Sequence, residues 1–401
     1  MKKILYVHYQ KNASEGSIVH VTRFSQAFRE ICQARQIEFN VIEPELIFRP
    51  PGDEGKPSVG TRIRRWLARN YLRDIKVLLQ QLKLAWQERQ LLQEYKPDIV
   101  LTRYDAETLS IHWACRTLNI PVVTEFNGKD RGELAGTYNS YKQFAALNRL
   151  FSNGNALAWS AGAMAVSDAI AADLRAANPQ NKPVIVNHNG VNLDEFDPEI
   201  DAAPLRNSLG IPAAACVIGY VGSFIVWHAP DRLFRAFDKL VNEGLDVHLL
   251  LVGRKIPEVE AMIAKLNPAS IKRIHMAGFV AHPDIPRHLA AMDIAVLPNT
   301  QPYCSPLKLF EYMAMRKACV APSTETIQDI LVDGQEGMLF AADDESAFTD
   351  ALRKLAIDEG LRRQLGSAAR QRVEKEFTWE HNAQRVMSLL EDASAWQNHK
   401  H

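Results

Sequence analysis

Short apolar runs alternate along the chain with longer stretches whose apolar residues recur at helical spacing. Residues 3–9 (KILYVHY), 97–104 and 120–127 are runs of the first kind, and they predict strands. In the stretch IVHVTRFSQAFREICQAR, residues such as Val21 and Phe24 share one helical face. This alternation predicts a parallel sheet covered by helices on both faces, as in doubly wound α/β folds.

The pattern starts again in the second half of the chain. The run CVIGYVGS (216–223) predicts a strand that ends in Gly-Ser, and a helical stretch follows it. We therefore predict two α/β domains, over residues 1–202 and 203–378, joined by a linker near DPEIDAAP. The length of 401 residues agrees with this, because one hydrophobic core rarely serves so long a chain. Two such domains create a cleft at the carboxyl ends of their strands, where ligands of these folds bind.

Charge and composition argue against several classes of protein. Lys plus Arg and Asp plus Glu both number 47, so the surface is not globally basic and a nucleic-acid-binding protein is disfavoured. Hydrophobic residues make up 47% and charged residues 23%, as in ordinary globular domains. The five cysteines are scattered and lack CxxC spacing, so neither a disulfide framework nor a zinc site is predicted. Free thiols suit a reducing cytosol.

No segment has the pattern of a leader or of a membrane span. The N-terminal MKKILYVHYQ turns polar soon after its apolar run, which indicates a first strand rather than a signal peptide. No apolar run is long enough to cross a bilayer. We therefore expect a cytoplasmic protein.

The segment CSPLKLFEYMAMRKACVAPS, residues 304–323, combines helix-start signals with one acid. Ser305 is a good N-cap and Pro306 suits the first helical position, so a helix is predicted to begin at Leu307. The free amide groups and positive dipole end of that helix would attract phosphate. Glu311 lies one turn later and leans back toward this end, where its carboxylate could bind the vicinal diol of a ribose. On chemistry alone, a solvated helix residue is an equally acceptable interpretation of Glu311.

From residue 166 onward, several motifs follow one another in the order and spacing of a known family. They are VNHNGVNLDEFDP, IGYVGSFIVWHAPDRLFRAF, HLLLVGR, MAGFVAHPDIPRHLAAMDIAVLP, SPLKLFEYMAMRKACVAP and ILVDGQEGMLF. On these motifs the chain resembles the retaining glycosyltransferases of the GT-B fold, in particular glycosyltransferase family 4. The resemblance is specific over about the second half of the chain and weaker over the first. It implies two Rossmann-like domains that face each other across a deep cleft, with residues 379–401 forming a helix that packs back on the N-terminal domain.

The resemblance implies a role for each residue that matches a family motif. Glu311 would contact the nucleotide ribose, and the backbone amides from Ser305 to Leu307 would face the donor sugar and the diphosphate. The other implied contacts to the diphosphate lie in a glycine-containing loop of each domain: Gly16 and Ser17 in the first, Gly222 and Ser223 in the second.

Five positions depart from the family pattern, and two of them, Arg316 for a usual Gly and Ala318 for a usual Pro, follow the predicted helix. Tyr303 stands where the family carries the first acid of a Glu-x7-Glu motif, which often holds hydroxyls of the donor sugar. Ser223 replaces a usual Arg, and His228 stands near a usual Lys that neutralises the leaving diphosphate. His228 could supply charge by protonating near its pKa. Lys308 and Arg254 could replace part of the same charge.

The acceptor side is predicted in the first half of the chain, at the end of the strand 120–127. Glu125, Asn127 and Lys129 of TEFNGKDRGE would face the cleft there, where related proteins often carry a short polar motif. Polar residues in a solvated loop are the alternative interpretation. The preceding strand ends with the equivalently placed Arg103, Tyr104 and Asp105. His20 on the first helix is expected to be a packed or surface residue rather than a catalytic one.

The segment TRIRRWLARNYLRDIK, residues 61–76, combines six basic residues with aromatic and aliphatic ones. A basic amphipathic helix of this kind can lie on an anionic membrane surface, which would suit a lipid-linked acceptor. A helix that packs its apolar face on the domain is the alternative. Peripheral contact with the inner face of the membrane is therefore one expectation for this protein.

With the resemblance, these features predict a retaining, hexosyltransferase-type enzyme. It would move a sugar from a nucleotide-sugar donor to the hydroxyl of a sugar or lipid-linked acceptor, in the biosynthesis of a cell-surface polysaccharide, glycolipid or other glycoconjugate. Catalytic roles are predicted for His228, Lys308, Glu125 and Asn127. No convincing Asp-x-Asp loop is present, so neither a metal nor another cofactor is predicted. Two alternatives stay open: another GT-B enzyme such as a nucleotide-sugar epimerase, and a catalytically degenerate nucleotide-sugar-binding protein.

Overall fold

The computed structural model describes residues 1–9, 15–42, 73–104, 108–128 and 149–398. The chain divides into two compact units: Met1–His188 with Asn382–His401, and Asn189–His381.

The boundary between the units lies at His188–Asn189, earlier than the predicted position at residue 202. Two contacts explain the difference, because both join the start of this stretch to the second unit. The side-chain amide of Asn189 donates to the carbonyl of Ser305, and the amide of Val191 donates to the carbonyl of Phe377 at 3.0 Å. Residues that precede the predicted linker therefore belong to the core of the second unit.

The first unit contains a six-stranded parallel sheet with strand order β2-β1-β3-β4-β5-β6. The strands are β1 (Lys3–Val7), β2 (Glu38–Ile42), β3 (Ile99–Arg103), β4 (Val122–Phe126), β5 (Gly162–Ala165) and β6 (Val184–Val186). The described helices between them are α1 (Glu15–Ala34), α2 (Arg73–Tyr95), α3 (Ser110–Leu118), α4 (Asn153–Ala158) and α5 (Asp168–Ala176). The predicted alternation is confirmed, with strands a few residues shorter than the apolar runs.

The central strands of this sheet are buried on both faces, as expected for a parallel sheet. Every residue of β3 and of β4 is buried. This burial includes the two charged residues Arg103 and Glu125, which lie at the carboxyl ends of these neighbouring strands and pair in register. Buried charges need partners, so a polar cluster at this edge follows from the strand sequences.

The second unit contains another six-stranded parallel sheet, with strand order β12-β11-β10-β7-β8-β9. The strands are β7 (Cys216–Val221), β8 (Val247–Val252), β9 (Ile274–Gly278), β10 (Ile294–Val296), β11 (Ala318–Pro322) and β12 (Gly337–Phe340). The α-helices are α6 (Ala203–Ser208), α7 (Pro230–Asn242), α8 (Pro257–Ile263), α9 (Pro268–Ile271), α10 (Ile285–Ala290), α11 (Leu307–Ala314), α12 (Glu325–Ile330), α13 (Glu345–Ile357), α14 (Glu359–Glu376) and the start of α15 (Trp379–Asn398). Short 3-10 turns occupy Val226–His228 and His282–Asp284.

Alternate residues of the central strands fill two cores, one on each face of the second sheet. Val217 and Leu250 belong to one cluster of buried residues, and Ile218 and Leu251 belong to the other. Since successive strand residues point to opposite faces, a continuous apolar run is what two covered faces require. The chain therefore forms the predicted α/β fold in each unit.

From Asn382 onward, α15 belongs to the first unit. The side-chain amide of Asn382 donates to the carbonyl of His188 at 2.7 Å, and the ring of Trp396 lies under the ammonium of Lys182 at 5.4 Å. Thr378 accepts a hydrogen bond from the amide of His381 and so caps the start of this helix.

Within the described ranges, no helix has the length and apolar character needed to span a bilayer. The predicted membrane contact at residues 61–76 lies outside the described residues up to 72, and the side chains of 73–76 are also not described.

Candidate functional site

The segment before α11 departs from its predicted capping pattern. The helix begins at Leu307 as predicted, but Pro306 is the N-cap residue, in an extended conformation. Ser305 does not cap the helix. Its hydroxyl accepts from the amide of Asn189 at 3.3 Å, and its carbonyl accepts from the side chain of the same residue. In the described part of the chain, no side chain caps this terminus, so its first amides remain suited to an anion.

Glu311 lies one turn into α11 and is buried, with 8% of its surface exposed. One of its oxygens, Oε1, is 2.9 Å from Nε2 of His282, in the 3-10 turn after β9. The imidazole in turn packs edge-on against Phe196 at 5.7 Å. The interpretation of Glu311 as a solvated helix residue is therefore wrong. His282 is a site residue that the sequence analysis missed, although it stands in the quoted motif MAGFVAHPD.

Four residues at the end of β7 and the start of α11 form a polar group that we call the lysine cluster: Tyr220, Ser223, His228 and Lys308. The ammonium of Lys308 is 3.2 Å from the Tyr220 hydroxyl and 4.6 Å from the centre of its ring. Nδ1 of His228 lies 2.8 Å from that hydroxyl and 2.8 Å from the Ser223 carbonyl. The structure thus brings together three of the positions predicted to act on the diphosphate.

Gly222 makes this arrangement possible. Its φ of +136° lies in a region that other residues rarely adopt, and a Cβ there would be 2.5 Å from Nζ of Lys308. The next strand end touches the same loop, because a Cβ on Gly253 would be 2.1 Å from the Gly222 carbonyl. The backbone around the lysine cluster is therefore held closely between two strand-end loops.

The lysine cluster has one cationic and one neutral member near pH 7. Burial lowers the pKa of Lys308 to about 8, which leaves the amine mostly protonated. Burial, and secondly the charge of Lys308, lower the pKa of His228 to about 4. The expectation that His228 supplies charge by protonation is therefore wrong, because burial and, secondly, the neighbouring ammonium oppose it.

The remaining predicted donor residues lie at separate places within their own units. The guanidinium of Arg254 is exposed and lies 5.3 Å from the ring centre of Phe279. Tyr303 is partly buried in the segment before α11. Gly16 and Ser17 stand in the first turn of α1, where Gly16 is exposed and Ser17 is half-buried.

In the first unit, Glu125 is the centre of a buried polar group at the carboxyl end of the sheet. Its Oε1 lies 2.8 Å from Nε2 of His20 and accepts from the amide of Asn127 at 2.9 Å. The hydroxyl of Tyr6 donates to Oε2 at 3.4 Å. Only 1% of the surface of Glu125 is exposed. These contacts let the carboxylate orient His20 and Asn127, and its predicted catalytic role stays a prediction.

The charge state of Glu125 follows from its neighbours. Burial alone would raise its pKa, but the charges of His20 and Arg103 and the bonds from His20 and Asn127 together lower it to about 2. The carboxylate is therefore ionised near pH 7. His20 is packed as expected, with 4% of its surface exposed, and it contacts the acid directly.

Two further side chains at this sheet edge have donors or acceptors without a hydrogen-bond partner among the described residues. They are Arg103, at its buried Nε and Nη1, and His8, at its buried Nδ1. Nη1 lies 3.9 Å from Glu125 Oε1, within ion-pair distance only. Orphaned polar atoms in a native core commonly mark a place for ordered water or a ligand. The predicted neighbours Lys129 and Asp105 lie outside the described residues.

Two family models match the chain, one in each half. Residues 15–195 match the model described as Glycosyltransferase Family 4. Residues 215–358 match the model described as Glycosyl transferases group 1.

Curated relatives are similar over part of their length. A D-inositol 3-phosphate glycosyltransferase of Nocardioides sp. is 26% identical over 234 residues, which cover 55% of this chain and 50% of the relative. The protein of the same name from Streptomyces avermitilis is 28% identical over 228 residues, or 54% of this chain and 48% of the relative. The chain thus spans about half the length of the curated relatives it matches.

Solved structures share the fold over nearly the whole chain. Sucrose-phosphate synthase from Thermosynechococcus elongatus superimposes with a TM-score of 0.72 at 18% identity, covering 98% of this chain and 100% of that one. Anabaena HepE in complex with UDP gives a TM-score of 0.71 at 18% identity, with the same coverage. Both likenesses support the GT-B fold.

Proposed function

We propose that this chain, whose two halves belong to glycosyltransferase family 4 and to the group 1 glycosyl transferases, transfers a sugar from a nucleoside diphosphate sugar to an acceptor hydroxyl. The observation that carries the proposal is the start of α11. There an uncapped helix end at Leu307, the ammonium of Lys308 and the buried carboxylate of Glu311 occupy two successive turns. A helix end that binds an anion and a carboxylate one turn later that binds a diol match the diphosphate and the ribose of a nucleotide.

The diphosphate would lie at the helix end. The amides of Leu307 and Lys308 point toward the N-terminal side of α11, and a cation near the leaving oxygen lowers the cost of its departure. Lys308 supplies that cation, while neutral His228 holds the Tyr220 hydroxyl in place. With this charge available, we propose that transfer proceeds without a metal or other cofactor.

The ribose would lie against Glu311. His282 fixes one oxygen of this carboxylate, which leaves the group oriented before a ligand arrives. A carboxylate that is already oriented loses less conformational freedom when it binds a ligand. We propose UDP as the first nucleotide to test, because the structures of HepE contain UDP and UDP-glucose.

The acceptor would bind to the first unit, at the carboxyl ends of β1, β3 and β4. Asn127 is half-buried there and could contact a sugar hydroxyl, while Glu125 holds Asn127 and His20 in position. We propose retention of anomeric configuration by front-face attack, a hexose as the transferred sugar, and a cell-surface glycan or lipid-linked acceptor. Residues 61–76 would provide peripheral contact with the inner face of the membrane, and the reaction would take place in the cytoplasm.

The test has two stages. Titration calorimetry with UDP, GDP and ADP should identify one base that binds with a Kd in about the micromolar range. Incubation with the matching nucleotide sugars and an acceptor panel, followed by mass spectrometry, should then detect the nucleoside diphosphate and a glycosylated product. Failure of all three nucleotides to bind would refute the proposal.

A nucleotide-sugar-binding protein without transferase activity is the second candidate, and Tyr303 favours it. A phenol stands there in place of a carboxylate that would hold the donor sugar. Tight nucleotide binding with neither transfer nor hydrolysis across the whole acceptor panel would support this candidate over the first.

A further inference from the structure

A cavity lies in the first unit, at the edge of the sheet opposite to Glu125. It has a volume of about 340 Å³ and is lined by residues at the starts of β4 and β5 together with α15. Strand β4 has five residues, so its two ends are about 13 Å apart. The cavity is thus separate from the polar group at the carboxyl end of the sheet, and its size suits one monosaccharide.

Two indole rings form part of the wall of this cavity. Trp159 and Trp396 are both half-buried. The ring of Trp159 packs against Trp113 at 5.9 Å and lies under the guanidinium of Arg116 at 5.2 Å. These contacts fix the orientation of the ring. Arg116 covers one face of Trp159 and Lys182 covers one face of Trp396, and the opposite face of such an indole can pack against the C–H groups of a pyranose.

Among the described residues that line the cavity, the charged ones are both cations. They are Arg116 and Lys182, with no Asp or Glu in this described set. Lys182 is buried, and its ammonium donates to the carbonyls of Leu157 and Ala158 at 2.9 and 2.7 Å. Arg116 is exposed, and its guanidinium contacts the ring of Trp159, with no carboxylate of the described residues within ion-pair distance of it. Its guanidinium is therefore available to an anion.

Amide side chains supply the remaining polar contacts. Asn119, Gln180 and Gln397 line the cavity beside the two indoles. An amide offers both donors and acceptors, which is what a set of sugar hydroxyls needs. Flat aromatic faces, amides and a guanidinium without an acidic partner together match a sugar that carries a negative charge.

We propose that this cavity binds an acidic sugar residue, a pyranose bearing a carboxylate or a phosphate, with the ring on the indoles and the anion at Arg116. The site is distinct from the nucleotide site proposed above. Binding there does not depend on sugar transfer.

The test is a titration of the full chain, carried out both without nucleotide and with excess UDP. D-Glucuronate and glucose 6-phosphate are the charged probes, and D-glucose is the neutral one. At least one charged probe should bind about tenfold more tightly than glucose, and Arg116→Ala should abolish this preference. Arg29→Ala is the matched control, because Arg29 is also exposed and stacks on an aromatic ring, Phe39, outside the cavity. It should bind like the wild type.

A second measurement locates the ligand and does not depend on the arginine variants. With 5-fluorotryptophan incorporated, the ¹⁹F resonances of Trp159 and Trp396 should shift when the charged probe is added. Equal affinity for charged and neutral sugars, loss of binding in Arg29→Ala equal to that in Arg116→Ala, absence of binding, or unshifted indole resonances would each overturn the proposal. None of these outcomes bears on nucleotide binding, so the two proposals fail separately.

Discussion

The ammonium of Lys308 is 3.2 Å from the hydroxyl of Tyr220 and lies over the face of the same ring. No carboxylate of the described residues is within ion-pair distance of this ammonium. The aromatic ring stabilises the charge without neutralising it. The cation at the start of α11 is therefore held in place and remains able to attract an incoming phosphate.

Replacing Lys308 with Met should lower kcat/KM for sugar transfer by about 100-fold, because the leaving diphosphate loses its nearest cation. Steady-state release of nucleoside diphosphate measures this change. Lys239→Met, on an exposed position of α7, is the control and should keep its activity. Unchanged kcat/KM in Lys308→Met would remove this residue from the mechanism.

Nucleotide affinity should depend on pH through the same side chain. Burial lowers the pKa of Lys308 to about 8, so the ammonium is present below that pH and is lost above it. The Kd for UDP should therefore increase roughly tenfold between pH 7.5 and 9.5. Lys308→Arg keeps its charge over this range and should flatten the profile. A Kd that is equally steep in this variant would assign the dependence to another group.

Glu311 should distinguish a ribose from a deoxyribose. The wild-type protein should bind UDP about tenfold more tightly than 2′-deoxy-UDP, since a diol makes two bonds to the carboxylate. Glu311→Gln should lose most of this preference and Glu311→Ala should weaken UDP binding strongly, as titration calorimetry can show. Glu260→Gln, at an exposed acid of α8, serves as the control. Equal affinities in wild type and Glu311→Ala would mean that the diol contact is wrong.

Gly222 and Gly210 allow the effects of backbone strain and of space to be separated. Both have a positive φ, but a Cβ at Gly210 would meet nothing within 4 Å. Each Gly→Ala variant should lose about 1–3 kcal/mol of unfolding free energy through strain, measurable by denaturant titration. Only Gly222→Ala should also lose UDP affinity, because its methyl group displaces Lys308. Full affinity in that variant would show that the ammonium can relocate.

Glu88 should make the first unit less stable as pH rises. The residue is 1% exposed, and its Oε1 accepts from Tyr9 at 2.7 Å and from Ser110 at 3.0 Å. Burial raises its pKa to about 7, and these bonds only partly offset that effect. Because the folded state holds the proton more tightly, the stabilisation is complete below the unfolded pKa and is lost as pH rises through 7.

Glu88→Gln mimics the protonated acid. It should remove the loss of unfolding free energy at high pH, which amounts to on the order of 3 kcal/mol by pH 8 in the wild type. Melting temperatures at pH 5 and pH 8 measure it, with Glu94→Gln on the exposed face of α2 as the control. A wild-type protein that is equally stable at both values, or a variant that matches it at pH 8, would contradict the assignment.

The fold could be predicted from the sequence because its signals are local. The apolar runs contain the buried strands of both units, and the helix start at Leu307 was predicted from the Ser-Pro pair that precedes it. The prediction that Ser305 caps this helix was wrong, because its actual partner is distant in the sequence. The hydroxyl of Ser305 accepts a hydrogen bond from Asn189, 116 positions earlier in the chain. The residues near the helix do not indicate that contact.

The candidate site also combines features that a single segment predicts with contacts between residues distant in the sequence. Lys308 and Glu311 were recognised because both stand in one motif, but the partner of Glu311 is His282, 29 positions away. The predicted charge on His228 is absent because the folded chain buries the imidazole and, secondly, because Lys308 lies near it in space. Glu125 is enclosed by residues from β1 and α1, so its burial could not be inferred from TEFNGKD alone.

The lowered pKa of Lys308 also has a chemical consequence. Near pH 8 about half of these amines carry a free lone pair, whereas exposed lysines remain almost entirely protonated. A neutral amine reacts with aldehydes and activated esters, and an ammonium does not. A nucleotide analogue with such an electrophile in place of its terminal phosphate would therefore form its covalent bond at the start of α11.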